Sequence, residues 1–466
     1  MLRRNIHKCV LQTAIFLFGA FACLLFYIMY IQVIDAEALN TNPLNRRGLA
    51  LAAEVQRGKI LDAHGKSLAV SSASGDRTYP YSTAAAAVTG YIGERIGGAG
   101  IEGIANRELL GEAGEFTRLG PIGQLFSSPR GNDVKLTIDA GVQQAAYDAL
   151  GSRRGAVVVL DAATGAVLAM VSRPSFSPAS AEEDWDELRQ RADSPLLNRA
   201  LSGLYPPGST IKPLIADAAL AEKTTDLQEV FNCTGQLDLG NGYTIAESHG
   251  EVHGKVNLEQ ALTESCNVTF GTLAMRLGDA KLQKAFDRFG FTKALTGDVA
   301  SAAPHLPDFS RLGKGDTAQI GIGQSELLVT PISMAMLAAA FANQGVIMKP
   351  YMIDEVITPN GVVLRKTEPT KWLEADTTER AQLINRFMEQ VVLKGTGTAA
   401  AVSGIRVTGK TGTAENSSGA DHAWFIGSAE LPNRRIAFAI IVENSGGGGT
   451  EAAPIARSII RSLLDI

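Results

Sequence analysis

No charged residue interrupts the chain between Lys8 and Asp35, and Ala14–Ile31 reads AIFLFGAFACLLFYIMYI. At about 1.5 Å per residue, roughly 20 such positions cross the hydrocarbon core of a bilayer. The run predicts a membrane anchor over 9–34. Ala36-Glu37-Ala38 has the small-residue spacing of a cleavage site. The run is nevertheless longer than a signal-peptide core of about 7–15 residues, so a retained anchor is expected. Arg3, Arg4 and Lys8 precede the span and Asp35 and Glu37 follow it. This asymmetry leaves residues 1–8 as a cytoplasmic stub and everything after residue 35 outside.

Beyond the anchor the apolar pattern is short-range. Lys59-Ile60-Leu61 and Ser67–Val70 flank Asp62-Ala63-His64-Gly65, a turn-type segment that predicts a hairpin. The glycine-rich Ile96–Gly100 reads as loop. Residues 35–130 are expected to form a small juxtamembrane module, and 131–466 the main domain. Ala140–Leu150 is an amphipathic helix behind the start signal Thr137-Ile138-Asp139. Two apolar strands, Ala156–Leu160 and Ala166–Val171, follow across the turn Asp161–Gly165. Three more lie near the other end: Ile405–Thr413, His422–Ala429 and Arg435–Glu443, before a terminal helix from Pro454 to Leu464. Between these sets, 175–400 reads as mainly helical. Thr330–Asn343 and Thr378–Leu393 space their apolar residues by three and four and stop at Gly345 and Gly395. One antiparallel sheet built from distant segments is expected, with helices from both ends on one face and the helical insert on the other. That is a mixed α/β sandwich rather than a doubly wound βαβ repeat.

Composition narrows the function classes. The 466 residues exceed one ordinary domain, and 45% hydrophobic with 20% charged residues is a globular balance. Lys+Arg 43 against Asp+Glu 48 leaves a net charge of -5, which argues against a phosphate-tracking surface and against nucleic acid as a partner. Four cysteines exclude a disulfide-dense scaffold and any repeated CxxC zinc pattern.

The sharpest chemistry lies in Leu204-Tyr205-Pro206-Pro207-Gly208-Ser209-Thr210-Ile211-Lys212-Pro213. Pro-Pro-Gly sets a turn, and Ser209 opens an apolar helix running to about Ala221. Residues three apart share a helix face, so Ser209 and Lys212 meet. Pro213 is tolerated because first-turn amides have no intrahelical partner. A serine needs an adjacent base to act as a nucleophile, and a lysine serves if burial or a neighbouring cation leaves its amine neutral. A bare SxxK is more simply a helix cap followed by a solvated lysine. Ser265-Cys266-Asn267, at the junction of Asn257–Glu264 and Thr269–Leu277, is alone only a polar turn. Lys410-Thr411-Gly412-Thr413, in a late strand, is alone a weak sign of close ligand approach.

In order, SxxK, SxN and KTG form the signature of penicillin-binding proteins and class A β-lactamases. Here 56 residues separate Ser209 from Ser265 and 145 separate Ser265 from Lys410. The chain resembles a class B penicillin-binding protein, a monofunctional peptidoglycan D,D-transpeptidase. The likeness runs over about 131–466 and includes Lys135–Asp139, Asn198-Arg199-Ala200, Gly321-Ile322-Gly323-Gln324, Thr330-Pro331 and Ala423-Trp424-Phe425. Arg57–Asp62 and Gly100-Ile101-Glu102-Gly103 are similar to the class B branch as well. Class A members insert a glycosyltransferase domain between membrane and transpeptidase, for which 35–130 leaves no room.

The resemblance implies a five-stranded antiparallel sheet flanked by helices, with a mainly helical subdomain. It implies that Ser209 attacks D-Ala-D-Ala stem peptides, with Lys212 as its base. Ser265 relays a proton to the leaving amine, and Asn267 orients Lys212 and meets the donor's amide. Lys410 supplies positive field. Thr411 and Thr413 bind the substrate carboxylate beside Gly412, and the amides of Ser209 and Thr413 form the oxyanion hole. An amine from a second stem peptide then resolves the ester, and β-lactams acylate Ser209. The expected setting is the bacterial inner membrane, with no cofactor and a SEDS-type glycosyltransferase as partner. Hydrolysis by a D,D-carboxypeptidase or β-lactamase, and a non-catalytic β-lactam sensor, share the same motifs and remain alternatives.

Other residues read more plainly. His249 and His253 have zinc-like spacing beside Glu247 and Glu251, but Gly250 and Gly254 break the helix that spacing needs, so no metal is expected. His422 is expected to pack or bond a turn, Glu182, Asp184 and Asp186 to form a solvated face, and Gly446–Gly449 a loop. Cys233 and Cys266, the cysteines outside the apolar run, face an oxidising compartment in this orientation. A disulfide between them is expected, against the alternative of two buried thiols.

Overall fold

A computed structural model describes residues 2–33, 55–111, 130–240, 242–416 and 419–464. Leu2–Val33 is one continuous helix, and within it Val10–Ile31 has a mean hydropathy of 2.4 over 22 residues. That length and composition suit a bilayer span. The chain divides into a unit ending at Val55 and a second from Gln56 onward. Ala36–Ala38 and the stretches 34–54 and 112–129 of the juxtamembrane module lie outside the described residues.

The second unit is organised by two sheets. The larger element of the main domain is a five-stranded antiparallel sheet in the order Arg406–Ala414, His422–Glu430, Arg435–Val442, Gly155–Asp161, Val167–Arg173. Alternation along each strand sends side chains to opposite faces. Val157, Val159, Phe425, Phe438 and Ile440 meet Val142, Ala146 and Leu150 of Ala140–Leu150 and Ile455, Ile459 and Ile460 of Ala453–Ser462. Val158, Leu160, Trp424, Ile426, Ala439 and Ile441 face the insert, led by Pro331–Ala342. Burying each large side chain contributes roughly 1.5–3 kcal/mol, so the sheet is held from both sides. This is the expected mixed α/β sandwich.

Local caps account for the helix starts. Asp139 accepts from Gly141 N and Val142 N, and Thr330 and Ser333 form a capping box. Asp62, in the predicted hairpin turn, accepts from His64 N and Lys66 N and also reaches Ala140 N at 3.2 Å. The turn is thereby tied to the start of Ala140–Leu150.

The insert departs from the mainly helical reading. Phe231–Cys233 pairs with Gly254–Val256, and Gln236–Gly240 with Tyr243–Ala246. Ile353–Ile357 and Val363–Lys366 join a second sheet, in the order Val363–Lys366, Ile353–Ile357, Asp133–Leu136, Ile60–Leu61, Ser67–Ser71, Arg77–Thr78. Segments on both sides of residue 131 therefore share one sheet. Gly97–Ala99, read as loop, pairs with Tyr91–Gly93, because backbone bonds need no side-chain pattern. The Arg57–Asp62 and Gly100–Gly103 motifs meet at a fully buried carboxylate: Glu102 accepts from Arg57 Nε at 2.6 Å and Arg77 Nε at 2.7 Å. Two guanidiniums around one buried carboxylate supply the pairing such a charge requires.

Candidate active site

The turn before Ser209 is fixed by backbone contacts that exclude side chains. Gly208 has φ 53, and a Cβ there would lie 2.6 Å from Thr413 O. Gly323 has φ 76, and its Cβ would lie 2.0 Å from Gly208 O, while Gly208 N donates to Gly323 O. The Gly321–Gln324 motif is thus the other wall of the serine turn. Trp424 Nε1 donates to Pro206 O at 3.0 Å. Ser209 stands in the short 3-10 turn Gly208–Ile211, directly continued by the helix Lys212–Ala221.

Gly412 lets the KTG strand close on that turn. A Cβ at 412 would lie 2.8 Å from Thr210 Cγ2 and 3.0 Å from Pro207 O. Gly412→Ala is therefore expected to cost about 1–3 kcal/mol through overpacking and to slow acylation by displacing Ser209 from the strand. A thermal melt and a labelling time course check this; unchanged values for both contradict it.

Two lysines converge on one hydroxyl. Lys212 Nζ donates to Ser265 O at 2.5 Å, Asn267 Oδ1 at 2.7 Å and Ser265 Oγ at 3.2 Å. Lys410 Nζ reaches the same Ser265 Oγ at 2.9 Å and Thr411 O at 3.1 Å. Both side chains are fully buried. Burial lowers Lys212 to about 8, against the opposing pull of Glu247. Burial, and then the charge of Lys212, hold Lys410 well below the usual lysine range. Two ammonium groups sharing one acceptor in a dry site disfavour each other's protonation.

Ser265 is held in a left-handed conformation, φ 63, between Leu258–Thr263 and Asn267–Arg288. A serine in that region costs of order 1–3 kcal/mol, and it aims Oγ at both lysines. Asn267 Nδ2 donates to Ala246 O at 2.9 Å. Ser209, Ser265, Asn267, Thr411 and Thr413 line one cleft of about 780 Å³. Thr411 Oγ1 is 2.5 Å from Thr396 Oγ1. The SxxK, SxN and KTG motifs named from the sequence are therefore brought together here, although the nearest residues of different motifs, Lys212 and Ser265, are 53 positions apart.

Behind the lysines, Tyr205 Oη donates to Glu443 Oε1 at 2.8 Å and Arg199 Nε to the same oxygen at 2.7 Å. This pins the loop leading to Ser209 against the end of Arg435–Val442 and explains the Asn198-Arg199-Ala200 motif. His422 Nδ1 accepts from Asn444 N and its ring meets Tyr205 edge-on at 5.6 Å. This is the turn bonding and packing read from the sequence.

The expected Cys233–Cys266 bridge is not formed. Both thiols are free and buried. Glu247 Oε1 lies 3.3 Å from Cys233 Sγ and 3.1 Å from Cys266 Sγ and accepts from both, so each sulfur has a partner other than its neighbour. The sequence placed Glu247 only beside His249 and His253 and gave it no role. Burial pushes its carboxyl up, but the Val268 and Asn267 N–H donors outweigh that and hold it below the usual range. His253 Nδ1 completes the cluster, 3.4 Å from Cys233 Sγ. One ligand atom from each of Cys233, Glu247, His253 and Cys266 lies within 4.8 Å of all the others. Two thiols, an imidazole and a carboxylate make a donor set for a tetrahedral ion such as zinc. His249, which the spacing argument had paired with His253, instead lines the cleft.

Residues 155–461 match the model of the penicillin-binding protein transpeptidase domain. The chain belongs to the penicillin-binding protein transpeptidase family. Within the class B branch of these proteins, residues 57–129 also match the penicillin-binding protein A dimerisation domain. The chain is 34% identical to the peptidoglycan D,D-transpeptidase PbpA of Mycolicibacterium smegmatis, over 93% of this chain and 94% of that protein. Among solved structures it is similar to the D,D-transpeptidase domain of a peptidoglycan glycosyltransferase from Eggerthella lenta. That match has TM-score 0.80 and 33% identity, covering 89% of this chain and 99% of the other. The imipenem acyl-enzyme complex of penicillin-binding protein A from M. tuberculosis gives TM-score 0.81 and 29% identity, over 88% and 99%.

Proposed function

We propose that this class B penicillin-binding protein cross-links peptidoglycan as a D,D-transpeptidase through a Ser209 acyl-enzyme. The observation that carries the assignment of roles is the pair of buried lysines meeting at Ser265 Oγ beneath a cleft that opens at Ser209. A neutral Lys212 takes the Ser209 proton as Oγ attacks the penultimate D-alanine carbonyl. The amides of Ser209 and Thr413 receive the oxyanion; losing one such donor costs other enzymes about 2.7–4 kcal/mol. Ser265, bonded to both lysines, passes a proton to the departing D-alanine nitrogen. Lys410, Thr411 and Thr413 hold the terminal carboxylate. A side-chain amine of a second stem peptide then attacks the ester, releasing Ser209 and forming the cross-link. β-Lactams carry a matching carboxylate and acyl group and stop at the first half. Treatment with penicillin G followed by peptide mapping tests the nucleophile: the adduct is expected on the peptide carrying Ser209, and an adduct on another serine overturns the assignment.

The lowered pKa of Lys212 gives the pH dependence its sign. The base works when neutral, so the second-order acylation rate rises with pH and levels above about 8. Below that it falls about tenfold per pH unit. Stopped-flow acylation across pH 6–10 checks this, and a flat profile removes Lys212 as the base.

The apolar helix is assigned as a single-pass inner-membrane anchor with a cytoplasmic amino terminus. The catalytic domain then lies outside, where protease added to spheroplasts should degrade it. Residues 1–8, 9–34, 35–130 and 131–466 are assigned as stub, anchor, juxtamembrane module and transpeptidase domain. A SEDS-type membrane glycosyltransferase is assigned as partner through anchor and module. Co-purification from membranes that survives exchange of both segments would contradict that contact.

A further inference from the structure

The KTG strand runs from Arg406, paired with Glu430, to Ala414, paired with His422. At its Arg406 end, where His422–Glu430 turns into Arg435–Val442, lies a cavity of about 190 Å³. Its lining also draws on Pro331–Ala342 and Thr378–Lys394, and it holds polar groups that the fold leaves unused. Asn385 is only 6% exposed, yet its Oδ1 has no hydrogen-bond partner among the described residues. Arg435 is anchored through Nη1, which donates to Ala342 O at 2.5 Å, while its buried Nε has no partner and stands 3.7 Å from Glu430 Oε1. That carboxylate is already engaged by Arg406 Nη1 at 2.9 Å. Arg386 is exposed and makes no ion pair among the described residues. Phe341 and Ala342 supply the apolar part of the lining. A buried amide left unpaired is costly, and polar groups converging in a concave site define what it can take.

We propose that this cavity binds the carboxylate end of a short peptide, the terminal amide pairing with Asn385 and the carboxylate with Arg435 and Arg386. The chemistry follows from the lining. An asparagine amide both accepts and donates, so its natural partner carries an N–H and a C=O together. A peptide group does, and a bare anion does not. Guanidiniums with unused donors, beside a carboxylate already taken, call for a negative ligand. The volume is below the roughly 300–1,000 Å³ of larger ligand sites. It suits one terminal residue, with a small side chain against Phe341 and Ala342 and the rest of the peptide outside. Stem peptides and the carboxy-termini of polypeptides share this chemistry and differ in the hand of the last residue. Arg406 and Thr413 lie at opposite ends of the KTG strand, roughly 23 Å apart at about 3.3 Å per residue. The site is therefore separate from the acyl-transfer cleft. Filled by a stem peptide, it holds one strand of the wall while Ser209 works on another.

The test uses the full chain in detergent, its cleft first closed by penicillin G, titrated with N-acetyl-D-alanine or N-acetyl-L-alanine by ligand-observed NMR. Saturable binding of at least one enantiomer is expected. Preference for the D form points to stem peptides, and preference for the L form to a polypeptide terminus. N-acetylalanine amide, which lacks the carboxylate, and propionate, which lacks the amide, should each bind at least about tenfold more weakly. Asn385→Leu and Arg386→Gln should each weaken binding at least about tenfold in a protein that stays folded. Asn385→Leu should melt at or above the wild-type temperature, because the amide it removes has no bonded acceptor oxygen to lose; an asparagine with a purely structural role would melt lower. If penicillin does not acylate the chain, the same titration is made on the Ser209→Ala protein, and the two cavity variants still separate this site from the cleft. Failure of the transpeptidase reading is thereby distinguishable. No saturable binding, equal binding of the amide or propionate, affinity unchanged in either variant, or marked destabilisation by Asn385→Leu would overturn the site.

Discussion

Ser209→Ala is expected to abolish labelling by a fluorescent penicillin, down to the background of denatured protein, while the melting temperature stays at the wild-type value. The hydroxyl lies at the floor of an open cleft, and the turn around it is held by Gly208, Gly323, Thr413 and Trp424 rather than by the hydroxyl. Removing one partly exposed oxygen leaves that frame intact, and surface changes of this kind stay within about 0.5 kcal/mol. The acyl bond, by contrast, has no other place to form: Ser265 Oγ is already engaged by two lysines. A folded variant that still labels would move the nucleophile elsewhere.

Lys212→Ala carries the second-largest effect. Acylation is expected to slow by about 10²–10⁴-fold, and the rise towards pH 8 should disappear with the group that causes it. The substitution also strands Ser265 O and Asn267 Oδ1, which lose a shared donor. Each buried acceptor left unpaired costs about 1–3 kcal/mol, so the melting temperature should fall as well, unlike that of Ser209→Ala. Rates are therefore compared per folded molecule. Lys410→Ala, measured beside it, should weaken acylation while the pH dependence persists, because Lys410 positions Ser265 Oγ whereas Lys212 accepts the proton. A Lys212→Ala protein that acylates at the wild-type rate and pH profile would assign the base to another group.

The sequence was most legible where local rules act alone. Ala140–Leu150 begins and ends where its cap and apolar spacing require, and four of the five strands of the main sheet are largely apolar runs, buried on both faces. The candidate site was legible because three short motifs in order point to a chemistry that none points to alone. What remained hidden depends on distant partners. Ile353–Ile357 is a strand because Asp133–Leu136 offers it an edge, and nothing within its own residues says so. Gly97–Ala99 has no side-chain alternation to read. Asn267–Arg288 is two helical pieces that meet at Gly278, where the backbone turns to φ 67; the apolar spacing that ended at Leu277 marks that break, and only the second piece was not read. Glu247 looked like one more loop carboxylate until folding placed it between two thiols and the amide of Asn267. The same placement gives the two sulfurs a shared acceptor in place of the bridge expected from their number and compartment.

The central claim is transfer of a stem-peptide acyl group from Ser209 to an amine. The most direct measurement offers the purified chain lipid-linked peptidoglycan strands together with a tagged D-amino acid. Cross-linked strands and probe-exchanged stem peptides are predicted, both lost in Ser209→Ala. Release of D-alanine with neither cross-link nor exchange would contradict transpeptidation and make the protein a D,D-carboxypeptidase.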